Sequence, residues 1–180
     1  MPDLNVPDLN VMVTFFSRTG TTERLGLAAA LGAVNARAKI RLRWLREEVD
    51  DPALDAVPGW RENRERMLRE YIAPREIDVL WADAMMLAAP TEQHVASPEV
   101  SQHLRLLREL HGAGKLHGKV ATAFTVSPRS SDRLMSLCGA LADLDLLLVP
   151  PALTSTIDPT EAARIHGRRV AERARDMKKT

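Results

Sequence analysis

The sequence predicts an α/β domain built on a doubly wound parallel sheet. Three observations predict it. Apolar runs recur at 11–16, 84–89, 119–126 and 146–149, and each is short enough to be a strand. Between them, apolar and small residues return at helical spacing. The two kinds of segment alternate along the chain, which gives a parallel sheet covered on both faces, with right-handed crossovers.

Residues 1–10 repeat a pentapeptide, Pro2-Asp3-Leu4-Asn5-Val6 and Pro7-Asp8-Leu9-Asn10-Val11. Two short copies are too few for a solenoid, so they read as an extension before a single domain at 11–180. Val11 to Phe16 is apolar and β-branched without alternation, as in a strand buried on both faces. Ser17 to Thr21 is a turn. From Thr22 a helix buries Leu25, Ala28, Ala29, Gly32 and Ala33. Ala38 to Trp44 alternates apolar and basic residues, which places a strand with one wet face near a sheet edge.

Residues 46–75 are the most polar stretch and read as a surface excursion. Its charged helix, Arg61 to Tyr71, has Trp60, Met67 and Leu68 as apolar anchors. A short helix after Pro74 turns Ile77, Leu80 and Trp81 to one side. The strand Ala84–Ala89 ends at Pro90. Pro98 opens a helix with Val100, Leu104, Leu107 and Leu110 inward, stopped at His111-Gly112-Ala113-Gly114. The strand Lys119–Val126 precedes a loop at 127–131 and a helix marked by Leu134, Leu137, Cys138 and Leu141. Leu146–Val149 is the last strand. The last helix has Asp158 as cap, Pro159 at its first position, and an inner face of Ala163, Gly167, Val170, Ala174 and Met177.

Composition narrows the function. Apolar residues make up 45% of the 180, enough for a core. Lys and Arg number 25 against 24 Asp and Glu, a net +1. That balance excludes a dedicated nucleic-acid binder and a strongly acidic carrier. Cys138 is the single cysteine, so an internal disulfide or multi-cysteine metal site is excluded; on the apolar face of its helix it reads as a buried, inert thiol. No apolar run reaches the roughly 20 residues of a membrane span, and the start shows no signal-peptide pattern. The expected location is the cytoplasm. The five histidines (94, 103, 111, 117, 166) have no metal-ligand spacing. His111 and His117 read as surface residues, as do the arginines 164, 168, 169, 173 and 175 of the last helix. The alternating charges of Arg61 to Arg69 read as a solvated face or a subunit contact.

In doubly wound folds, ligands sit at the carboxyl ends of strands where the winding reverses. The loops there are 17–22, 90–98 and 127–132. The first gathers four hydroxyls, from Ser17, Thr19, Thr21 and Thr22, at a helix N-terminus. The unpaired N–H groups and the helix dipole make this an anion site. Neither a Gly-x-Gly-x-x-Gly nor a P-loop motif is present, so one terminal phosphate suits it better than a pyrophosphate or a nucleoside triphosphate. Helix capping alone would need one hydroxyl only. His94 lies in the second loop as a candidate proton donor; the plainer reading is a solvated loop histidine.

The pattern Ser-x-Thr-Gly-x-Thr after the first strand resembles the FMN-phosphate loop of flavodoxin-like proteins. Phe16-Ser17-Arg18-Thr19-Gly20-Thr21-Thr22-Glu23 is similar to WrbA-type NAD(P)H:quinone oxidoreductases, as are Ala88-Ala89-Pro90-Thr91, His117-Gly118-Lys119 and the stretch from Glu161 to Glu172. The resemblance implies a five-stranded sheet in the order 2-1-3-4-5. It implies that Ser17, Arg18, Thr19, Gly20, Thr21 and Thr22 hold the FMN phosphate. Pro90, Thr91, Glu92, Gln93, His94 and Val95 would border the isoalloxazine ring, and Ser127, Pro128, Arg129, Ser130 and Ser131 would close its other side. The implied reaction is ping-pong hydride transfer through flavin N5 from NAD(P)H to a quinone, in a homo-oligomer (dimer or tetramer). Two departures stand out. Glu92-Gln93-His94 replaces the family's aromatic residue and glycine, and Ser127–Asp132 replaces a glycine-rich loop. They leave two alternatives: a degenerate flavodoxin-like binding or structural subunit with weak or no FMN, and a single-electron carrier, which near-neutral charge disfavours.

Overall fold

The computed structural model describes residues 8–90, 97–125, 131–151 and 157–179. Five parallel strands form one sheet: β1 (Leu9–Phe15), β2 (Ala38–Trp44), β3 (Ala84–Ala88), β4 (Val120–Phe124) and β5 (Leu147–Leu148). Their order is β2-β1-β3-β4-β5, as expected. The helices are α1 (Thr21–Asn35), α2 (Asp51–Asp55), α3 (Trp60–Glu70), α4 (Glu76–Trp81), α5 (Pro98–Gly112), α6 (Ser131–Ala142) and α7 (Pro159–Met177).

The central strands are sorted by the two-residue period of a pleated sheet. Val11, Val13 and Phe15 join Met86 and Ala88 under α1 and α7. Met12, Met85 and Leu87 point the other way, toward Leu104, Leu107, Leu134 and Cys138 of α5 and α6. β1 starts at Leu9, so the end of the anticipated extension pairs with β2 (Leu9 opposite Ala38). β2 lies at the edge, with Ile40 and Leu42 on the α1 side and Lys39, Arg41 and Arg43 on the opposite face.

Of the expected inner faces, Val100, Leu104, Leu107 and Leu110 are all buried, as are Ala163, Gly167, Val170 and Ala174. Asp158 caps α7 by accepting from the Thr160 and Glu161 N–H groups at 3.0 Å. The short helix needs correction. Ile77 and Leu80 are 58% and 41% exposed, and α4 buries Asp78 and Val79 instead. Arg41 and Arg43 on β2 draw the Asp78 carboxylate inward, and six residues give too little helix for an apolar stripe to decide its rotation. Leu68 is likewise exposed, while Met67 enters the core under α1.

Candidate functional site

β1 is paired on both sides and the next strand in sequence, β2, lies on the opposite side from β3. The winding therefore reverses at β1, and its carboxyl end is the switch point. The β1–α1 loop leaves from there. Ser17 is buried, and its Oγ accepts the Gly20 N–H at 3.0 Å. Gly20 stands at the N-cap of α1 with φ +87°, a conformation that favours glycine. No side chain caps α1, whereas Ser97 caps α5 and Asp158 caps α7. The first N–H groups of α1 thus face the loop with Thr21 and Thr22 beside them, and α1's dipole favours an anion there. Thr22 is buried, Thr21 half-buried and Thr19 exposed.

The structure brings Ser17, Thr19, Gly20, Thr21 and Thr22 together and turns Arg18 elsewhere. Its guanidinium lies over the Trp60 ring, 4.6 Å from the centroid, and 5.7 Å from that of Phe16. The Arg18 carbonyl accepts from Asn63 Nδ2 at 2.9 Å. Glu23, in the first turn of α1, would repel an anion if left alone. Arg66 forms an ion pair with it, and Tyr71 donates to its Oε1 at 2.7 Å. Burial works to raise the Glu23 pKa, but these two hydrogen bonds and the Arg66 charge hold it below the usual carboxylate range.

One side of the charged helix, carrying Trp60, Asn63 and Arg66, is therefore the wall of this loop, while Glu62, Glu65 and Arg69 keep the solvated face. Trp60, Asn63, Arg66 and Tyr71 were missed as contributors because they lie at least 38 residues beyond Thr22 in sequence. Glu47 was also missed. It is 1% exposed and accepts the Trp60 indole N–H at 2.7 Å. Its place just past the carboxyl end of β2 was the available signal.

Pro90 closes the described segment after β3 and is half-buried. Thr91, Glu92, Gln93, His94 and Val95 lie outside the described residues, as do Ser127, Pro128, Arg129 and Ser130; Ser131 opens α6. Since β1, β3 and β4 are adjacent and parallel, the carboxyl ends of β3 and β4 lie at the same end of the sheet as that of β1. Cys138 is buried, and burial pushes its thiol pKa up. His166 is buried against Thr122, Nε2 to Oγ1 at 2.8 Å. Thr122 Oγ1 donates to the Val149 carbonyl at 2.8 Å, so His166 is assigned as the donor in their contact. Among the described residues no group of three or more His, Cys, Asp or Glu could hold a metal ion, and no helix is long and apolar enough to cross a membrane.

No protein-family model matches the sequence. Two curated relatives do. The NAD(P)H dehydrogenase (quinone) of Deinococcus radiodurans is 26% identical over 153 residues, covering 83% of this chain and 76% of the relative. The protein of the same name from Archaeoglobus fulgidus is 30% identical over 115 residues, 64% of this chain and 60% of the relative. Among solved structures, a WrbA-like flavodoxin from Agrobacterium tumefaciens superposes with a TM-score of 0.63 at 20% identity, covering 94% of this chain and 99% of that one. A Streptococcus pneumoniae flavodoxin gives 0.60 at 13% identity, covering 91% and 98%. These neighbours make the fold flavodoxin-like, and the relatives bear out the resemblance to WrbA-type proteins read from residues 16–23.

Proposed function

We propose that this flavodoxin-like chain is an FMN-dependent NAD(P)H:quinone oxidoreductase. The observation that carries the reading is the uncapped N-terminus of α1, set at the switch point with Ser17, Thr19, Thr21 and Thr22 around it. The names of the two sequence relatives support the same enzyme type.

In this reading the α1 N–H groups and the Thr19, Thr21 and Thr22 hydroxyls bind the terminal phosphate of FMN, and Ser17 shapes the turn through Gly20. Arg66 neutralises Glu23, so that no bare carboxylate faces the phosphate. Residues 90–95 and 127–131 would border the ring, and His94 is the proposed proton donor to the reduced acceptor. Bound FMN would supply two-electron hydride chemistry between NAD(P)H and a quinone, with the protein contributing orientation and electrostatics. The proposed setting is a cytoplasmic homo-oligomer.

The test is a fluorescence-quenching titration with FMN, with riboflavin as the phosphate-free control, followed by NAD(P)H oxidation with a benzoquinone. The expected result is saturable one-to-one FMN binding that weakens in Thr19→Ala/Thr22→Ala, and flavin-dependent turnover. Absence of FMN binding at millimolar ligand would overturn the oxidoreductase reading.

A further inference from the structure

A buried carboxylate is a costly thing to keep in a fold. Desolvating it is unfavourable, and a well-packed apolar side chain of similar volume is often at least as stable. Glu47 is such a group. Its Oε1 accepts the Trp60 indole N–H, while its Oε2 has no hydrogen-bond partner among the described residues. Burial lifts its pKa, against the pull of that hydrogen bond. Trp60 is itself 4% exposed, with one face given over to the Arg18 guanidinium. Three residues further along α3, Asn63 holds the Arg18 carbonyl. Arg18 is thereby gripped at its side chain and at its backbone, between the Ser17 and Thr19 that the loop must present.

We infer that Glu47 and Trp60 are positioning residues for the phosphate loop: the Glu47 carboxylate sets the plane of the Trp60 indole, and the Trp60–Arg18 stack, with Asn63 on the Arg18 carbonyl, fixes the backbone from Ser17 to Gly20. This inference rests on reading Ser17–Thr22 as the phosphate site. The brace acts on the phosphate end alone, so it governs selectivity for a phosphate-bearing flavin over one without phosphate.

The experiment measures FMN, riboflavin and inorganic phosphate binding to the full chain and to Glu47→Leu, Glu47→Gln and Asn63→Ala. Phosphate is followed at the Gly20–Thr22 amide signals. Glu47→Leu should weaken FMN roughly tenfold, the scale of losing one buried hydrogen bond. It should leave riboflavin within about twofold, and Glu47→Gln, which keeps an acceptor for the indole, should recover most of the loss. Asn63→Ala, a milder change, should weaken FMN in the same selective way and decides the matter if Glu47→Leu does not fold. Equal losses for FMN and riboflavin, or wild-type FMN affinity in folded Glu47→Leu and Asn63→Ala, overturn the brace. If the wild type takes up phosphate but not FMN, the flavin reading fails, and the variants' phosphate affinities then judge the brace. If it takes up neither, both fail.

Discussion

Gly32 of α1 lies directly against the main chain of Arg164 in α7: a Cβ placed on Gly32 would stand 1.8 Å from the Arg164 carbonyl oxygen. The contact is mirrored one turn on, where a Cβ on Gly167 would stand 2.0 Å from the Ala29 carbonyl oxygen. The two helices therefore touch backbone to backbone. Gly32→Ala and Gly167→Ala should each destabilise by about 3 kcal/mol, the upper part of the overpacking range, because neither neighbour is a side chain that can swing away. For a chain of this size that lowers Tm by roughly 6–12 °C. A calorimetric scan checks it, and an unchanged Tm would refute the close approach.

Asp78 is a fully buried carboxylate. Arg43 Nη2 reaches it at 2.6 Å, Arg41 Nη1 at 3.1 Å, and the Arg75 backbone N–H donates at 3.0 Å. Burial would raise its pKa, but the Arg43 hydrogen bond, the Arg75 backbone hydrogen bond and the charges of both arginines hold it down to about 2. The folded pKa lies below the ordinary 3.8, so this stability is full above that value and is lost as pH falls toward 2. Asp78→Asn strands the two β2 arginines and should cost about 3–5 kcal/mol. Urea denaturation should show a lower midpoint with an unchanged slope.

Acid lability should begin well above the carboxylate range. Burial holds His103 and His166 down to about 4 from an ordinary 6.5, with the Arg169 charge adding at His166. Between pH 6.5 and 4 the unfolded chain binds more protons, so stability falls as pH falls through that window, by on the order of 3 kcal/mol per histidine. Glu47 works in the opposite sense. Its raised pKa gives stability that is full below its ordinary 4.5 and is lost as pH rises through the folded value. Thermal melts from pH 7 to 4 should therefore fall more shallowly in His103→Gln and more steeply in Glu47→Gln than in the wild type. A flat wild-type profile would contradict the burial of both histidines.

Arg66 should matter to anion binding without touching the ligand. Its removal in Arg66→Ala leaves the Glu23 charge unopposed in the first turn of α1. FMN affinity should drop roughly fivefold, about 1 kcal/mol of repulsion as screened by water at this open loop. The double variant Glu23→Gln/Arg66→Ala should regain it, which titrations at low and high salt can check, the loss shrinking at high salt.

The fold was legible because its signals are local and repeated. Val100, Leu104, Leu107 and Leu110 repeat at helical spacing, and Val11 to Phe16 is continuously apolar. The turn at Ser17–Thr22 was legible as a turn because it breaks a continuous apolar strand just before helical spacing begins. The wall around it was not. Trp60, Asn63 and Arg66 sit among alternating charges that look solvated until the excursion folds back on α1. The rotation of α4 failed for the reverse reason: Ile77, Leu80 and Trp81 share a face, yet the buried attraction of Arg41 and Arg43 for Asp78 wins.

The two ends of the sheet also settle how the molecule behaves in a crowd. An edge strand offers unpaired N–H and C=O groups to any passing strand, which is how fibres begin. β2 meets that hazard with Lys39, Arg41 and Arg43 in alternation, and its last residue, Trp44, already donates to the Ile72 carbonyl. β5 meets it by being only two residues long. A second chain approaching β2 finds the ion-paired side chains of Lys39 and Arg41 and a partly occupied ladder, and one approaching β5 finds almost no template. Arg41, which helps hold Asp78 while keeping part of its side chain at the surface, thus also guards the colloidal stability of the folded chain, and an apolar residue in its place would leave a strand that recruits its own kind.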